Sequence, residues 1–129
     1  MIITYTSMRP IPIGRFSSKD QNIIIKKYCQ YENINFSLPF PEFVYPNCFI
    51  QLFNIFGIAS PNSNIVFFSS TQFFDYPGNI RELVNCFREK FDTISFASEN
   101  YQINLNQNYK ELEKIIEEFR DTTYLNIKS

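Results

Sequence analysis

Asn64-Ile65-Val66-Phe67-Phe68 is a strand-forming run, closed before by Pro61-Asn62-Ser63 and after by Ser69-Ser70-Thr71-Gln72. Four apolar residues in a row without alternation fit a strand buried on both faces, the mark of a parallel sheet covered by helices. The segments on either side agree. Upstream, Phe49, Leu52, Phe53 and Phe56 recur at helical spacing, with Gly57 as a suitable stop. Downstream, Asn79 with Glu82 three positions on starts a helix whose inner face is Ile80, Leu83, Val84, Phe87 and Phe91.

Further out, the β-branched stretch Ile2 to Thr6 reads as a first strand running into a proline-rich loop. Ser18 and Gln21 have the form of a capping box, and Ile24, Ile25, Tyr28 and Cys29 share one face of the helix that follows. Ile34 to Leu38 is expected to be the second strand, cut off by Pro39 and Pro41, with Phe40 to Pro46 a loop. Thr93 to Ala97 is the fourth strand. A last helix is expected after Asn108, carrying Leu112, Ile115, Ile116 and Phe119, and residues 122–129 are left unassigned. Alternating strands and helices predict one α/β domain over residues 1–121. Its sheet would have four parallel strands in the order 2-1-3-4, with helices on both faces.

Composition narrows the function. The chain has 129 residues, a hydrophobic fraction of 44% and a net charge of -1, so no global field draws it to phosphates and no DNA partner is expected. No stretch approaches the roughly 20 apolar residues of a membrane span, and a cytoplasmic location without membrane insertion is expected. Cys29, Cys48 and Cys86 are far apart and histidine is absent, which argues against a zinc or iron–sulfur site; neither metal nor cofactor is expected. Fifteen Phe and eight Tyr are many for one small core, which favours an exposed surface for a homo-oligomer or a protein partner.

Ligands of open α/β sheets bind beyond the carboxyl ends of the strands, where Ser7, Arg9, Gln21, Glu42, Ser69, Gln72 and Glu99 are expected to gather. Arg9 is suited to gripping a carboxylate or phosphate, with a charge pair to Glu42 or Glu99 as the alternative. Without histidine, Glu42 and Glu99 are the natural general acid or base, or else loop and capping carboxylates. Ser7, Gln21, Ser69 and Gln72 would orient a polar substrate, although Gln21 is also explained by its capping box and Ser69 and Gln72 by the end of a strand. Cys48, expected at a helix start that favours thiolate, is the candidate reactive thiol, with burial as a packing residue the alternative.

The ordered set Ser7-Met8-Arg9-Pro10, Gln21-Asn22, Tyr28-Cys29, Glu42, Pro46, Cys48, Ile65-Val66, Ser69, Gln72, Phe96 and Glu99 resembles the sporadic carbohydrate cluster family over residues 2–101. These are small bacterial proteins whose genes lie among surface-polysaccharide genes. The resemblance implies a role in making capsule, O-antigen or a related glycan; with the polar cluster, a small enzyme or enzyme subunit acting on a polar or anionic sugar-related metabolite is expected, and with the many Phe and Tyr, a non-catalytic module that binds a glycan-pathway protein is the alternative. The same ordering is more distantly similar to the catalytic domain of serine recombinases, a resolvase-like and flavodoxin-like fold. Thr71-Gln72 stands where that family has an Asp-Arg pair, and the arginines that grip the scissile phosphate are missing. A diverged nucleic-acid enzyme without recombinase activity is therefore the third expectation.

Overall fold

The computed structural model describes residues 1–37 and 39–128, with side chains as far as Arg120. In chain order the elements are β1 (Ile2–Ser7), α1 (Ser18–Tyr31), β2 (Pro39–Glu42), α2 (Ile50–Ile58), β3 (Ser63–Phe67), a 3-10 turn (Ser70–Phe73), α3 (Ile80–Lys90), β4 (Phe91–Phe96), β5 (Tyr101–Asn104) and α4 (Leu105–Lys128). They form one mixed sheet in the order β2-β1-β3-β4-β5. The first four strands are parallel and β5 runs antiparallel to β4, so the expected order 2-1-3-4 is extended by a fifth strand.

The central run behaves as its composition requires. Ile65, Val66, Phe67 and Phe68 are all at most 1% exposed. Their side chains alternate between faces: Ile65 and Phe67 join the larger core built with α2, α3 and α4, whereas Val66 and Phe68 pack with Ile25, Tyr28 and Cys29 of α1. Helices therefore cover both faces, α1 alone on one side. Phe67 is the hub of the larger core, with ring centroids 4.7 Å from Tyr5, 4.9 Å from Phe73 and 6.0 Å from both Phe87 and Phe96.

Several expectations need correction. The second strand is Pro39–Glu42, within the segment expected to be a loop, and Ile34–Ser37 forms no ladder; Leu38 lies outside the described residues. Pro39 and Pro41 pair with Thr4 and Thr6. Two prolines two residues apart point the same way along a strand, so their missing donors fall together on the open side of this edge and the inner ladder keeps Phe40 and Glu42. Second, α1 is capped by Ser17, whose side chain accepts from the Asp20 amide, so Ser18 and Gln21 do not form the capping box and Gln21 is released for another task.

Third, β5 was not anticipated because only Ile103 of its four residues is buried; a turn containing Asn100 (φ 52°) folds it back on β4. Fourth, α4 begins at Leu105, where Asn104 accepts from the Asn106 and Gln107 amides, and breaks helical geometry at Asn108 before continuing as expected. α2 also runs through Gly57 to Ile58. The Asn79 cap on α3 is present, accepting from the Glu82 amide at 3.0 Å.

Phe67→Ala is expected to cost about 3–5 kcal/mol of folding free energy, because it empties the centre of a ring cluster that cannot collapse. Urea unfolding measures this directly.

Candidate functional site

The strand ends do bring the hydrophilic residues together. Ser7 and Glu42 are register partners at the carboxyl ends of β1 and β2, and six of the seven residues, all but the exposed Glu99, are at most 4% exposed. Ser7, Arg9, Gln21, Ser69, Gln72 and Glu99 form one hydrogen-bonded network, and Glu42 stands beside it with partners of its own. Gln21 clasps the backbone of Ser7 from α1: its amide oxygen accepts from the Ser7 amide at 2.9 Å, and its amide nitrogen donates to the carbonyls of Ser7 and Phe16. Gln72 donates to Ser7 Oγ at 2.7 Å and accepts from the Ser69 amide at 2.9 Å, so the capping box of this protein is the Ser69–Gln72 pair on the 3-10 turn.

Glu99 supports the same turn. One of its carboxylate oxygens accepts from Ser69 Oγ at 3.0 Å, from the Ser70 amide at 2.6 Å and from the Ser70 hydroxyl. Glu42 does the equivalent for α2, which has no cap of its own. Its oxygens accept from the amides of Gln51 at 3.0 Å, Leu52 at 3.3 Å and Phe43 at 3.1 Å, and from the Tyr5 hydroxyl at 2.8 Å. A carboxylate suits the positive end of a helix dipole, and here it replaces the missing cap. Cys48 is buried, and its thiol is directed at Glu42 with Sγ 3.6 Å from Oε2.

Arg9 is bound by a residue that sequence reasoning missed. Its Nε and Nη2 donate to the two carboxylate oxygens of Asp75, each at 2.9 Å, and Nη2 reaches the Gln72 carbonyl at 3.3 Å. The guanidinium carbon sits 4.8 Å from the centroid of the Phe49 ring, and Nη1 is buried without a hydrogen-bond partner. Burial alone would lower the guanidinium pKa, but the bidentate Asp75 carboxylate outweighs it and holds Arg9 above its ordinary value. The alternative to anion binding was a pair with Glu42 or Glu99; the actual partner is Asp75. Asp75 also accepts from the amide of Asn47 at 2.8 Å, a residue in the left-handed region (φ 58°) that asparagine tolerates. Asp75 is the only acid between Glu42 and Glu82, which was the available signal.

Beside this pair lies a cavity of about 520 Å³, walled by Pro10, Val44, Phe74, Tyr76 and Pro77 and bearing the polar groups of Arg9, Asp75, Asn47 and Arg120. Arg9 is the one residue of the expected seven that lines it. Arg120 is fixed there by donating from Nη1 to the carbonyl of Gly78 at 2.8 Å. A predominantly apolar pocket of this size with a few convergent polar groups has the general form of a small-molecule site. Among the described residues, no group of acids and cysteines is placed to hold a metal ion, and no helix is long and apolar enough to cross a membrane.

Together the fold and site define an α/β protein with a buried polar network at the carboxyl edge of its sheet and a cavity beside it. No family model, curated protein or solved structure matches the chain.

Two measurements check the electrostatics. Asp75→Ala is expected to cost about 3–5 kcal/mol by stranding a buried guanidinium, while the paired replacement Arg9→Met with Asp75→Ala costs less than the sum of its parts; a double-mutant cycle in urea reads the coupling. Burial, reinforced by Glu42 and opposed by Arg9, pushes the Tyr5 phenol well above its ordinary value of 10. A raised folded pKa means stability that is complete below pH 10 and lost as pH rises, because the unfolded phenol ionises first. The wild type should therefore lose more stability than Tyr5→Phe between pH 9 and pH 11.5.

Proposed function

We propose that the chain is a small enzyme, or the subunit of one, that takes up a polar sugar-related metabolite in bacterial surface-polysaccharide synthesis. The observation that carries this reading is the Arg9–Asp75 pair in the wall of the 520 Å³ cavity. A carboxylate and a guanidinium side by side offer an acceptor and a donor to adjacent hydroxyls, and the Phe74 and Tyr76 walls suit the C–H face of a sugar ring. The family resemblance supplies the pathway.

Within this reading Arg9 and Asp75 hold the substrate. Asp75 is the carboxylate that lines the cavity and is the nearest group for moving a proton. Glu42 and Glu99 serve that chemistry only by exchanging their protein donors for substrate, and Ser7, Gln21, Ser69 and Gln72 act by fixing the loops that carry Arg9 and Asp75.

A second reading has its own support. Phe43, Val44, Tyr45, Ile50 and Phe53 are 47–68% exposed along the β2–α2 connection and the outer side of α2. Such a patch suits a module that binds a glycan-pathway protein.

Val44 belongs to both the cavity wall and the exposed patch, so the readout that discriminates between them is direct ligand binding by wild type and Val44→Trp, a substitution that leaves the buried pair untouched. The metabolite reading expects this variant to lose binding of glucose 1-phosphate by calorimetry and to reduce surface glycan in the producing cell. A folded variant with unchanged binding and unchanged glycan removes it.

A further inference from the structure

The cavity does not end at Pro77. A second cleft of about 470 Å³ shares Asn47, Tyr76 and Pro77 with the first and continues along α2 past Phe53 and Asn54. Each volume lies in the roughly 300–1,000 Å³ range of small-molecule sites. Resting on the sugar-binding reading for the first cleft, we infer that the ligand spans both and is a nucleoside diphosphate sugar, with its base in the second.

Three features of the second cleft select an aromatic base. Phe53 is 48% exposed there, which leaves part of its ring available for stacking. Asn47 and Asn54 line the same cleft; Asn54 Nδ2 donates to Gln51 Oε1 at 3.0 Å, which leaves its Oδ1 and second N–H, with the Asn47 amide, for a heterocycle edge. A hydrocarbon tail laid in this cleft would cover those amides without partners, at a desolvation cost that a base avoids.

The join between the clefts suits an anion. Arg120 lines the first cleft and donates to the carbonyls of Tyr76 and Gly78, two residues that line the second. Its guanidinium is thereby held at the boundary where the diphosphate linker would cross. Among the described residues that line the first cleft, two guanidiniums face one carboxylate, a net positive balance that favours an anionic ligand.

The test uses the full chain and calorimetry with UDP-glucose, GDP-mannose, UMP, GMP, glucose 1-phosphate and farnesyl phosphate. At least one nucleotide sugar is expected to bind roughly tenfold or more tighter than glucose 1-phosphate. Phe53→Ala, at a half-exposed position and with retained fold checked by circular dichroism, should abolish that advantage and leave glucose 1-phosphate binding unchanged. Equal affinities for glucose 1-phosphate and both nucleotide sugars overturn the inference, as does a Phe53→Ala variant that keeps the advantage or farnesyl phosphate binding more tightly than any nucleotide. Mononucleotide binding that depends on Phe53, with no contribution from the sugar, upholds the base site and overturns the sugar reading alone.

Discussion

The ion pair between Arg9 and Asp75 joins the loops that follow the three adjacent strands β2, β1 and β3. Arg9 leaves the end of β1, Asp75 follows the 3-10 turn after β3, and the Asn47 amide ties the β2–α2 connection to the same carboxylate. Three loops from three adjacent strands are thus joined at one point. The two side chains are only 3% and 10% exposed, so each charge has given up most of its water and depends on the other. Such a pair adds little net stability compared with an apolar replacement, yet separating its members leaves a buried charge alone. Its physical effect is therefore on position: loops that would otherwise sample many arrangements are confined to one.

That constraint works because the sheet order puts β1 between β2 and β3. Right-handed parallel crossovers place successive loops on the same edge, and the central position of β1 lets its terminal residues touch loops from both neighbours. Tyr5 reports the same convergence from inside the core. Its ring packs on Phe67 and its hydroxyl donates to Glu42, so the carboxylate that anchors α2 is itself anchored on the central sheet. Packing and polar satisfaction are here consequences of one topology.

Much of this was legible in the sequence, and the misses have physical causes. The Ile65–Phe68 run determined the parallel class because a doubly buried strand cannot alternate, and the seven polar residues were identified because strand ends are recognisable where apolar runs stop. Pro39–Glu42 was misplaced because proline was weighed as a strand breaker, although an edge strand needs donors on one side only. β5 buries a single side chain and leaves almost no pattern to read. Asp75 escaped because its position depends on a 3-10 turn capped by Ser69 and Gln72, and that turn is bonded to Glu99 and Ser7, which are distant in sequence. The lone acid after that capping box was the local signal, and its pairing with Arg9 is a tertiary fact that spacing does not show.

The way the network is satisfied also says where chemistry is to be sought. A polar side chain whose donors and acceptors are already bonded to backbone can engage a substrate only by giving those bonds up, at a cost of about 1–3 kcal/mol for each buried group left unpaired. Gln21 and Glu42 are committed in this way to the chain itself, to the Ser7 backbone and to the α2 amides. The Arg9–Asp75 pair differs because it borders the cavity, where a ligand can add a bond to the remaining lone pair of Asp75 Oδ1 without breaking those to Arg9. Convergence of polar residues at a sheet edge and their availability to a ligand are thus separate properties. In this fold the first holds for the whole network, and the second is concentrated where the network meets the cavity wall.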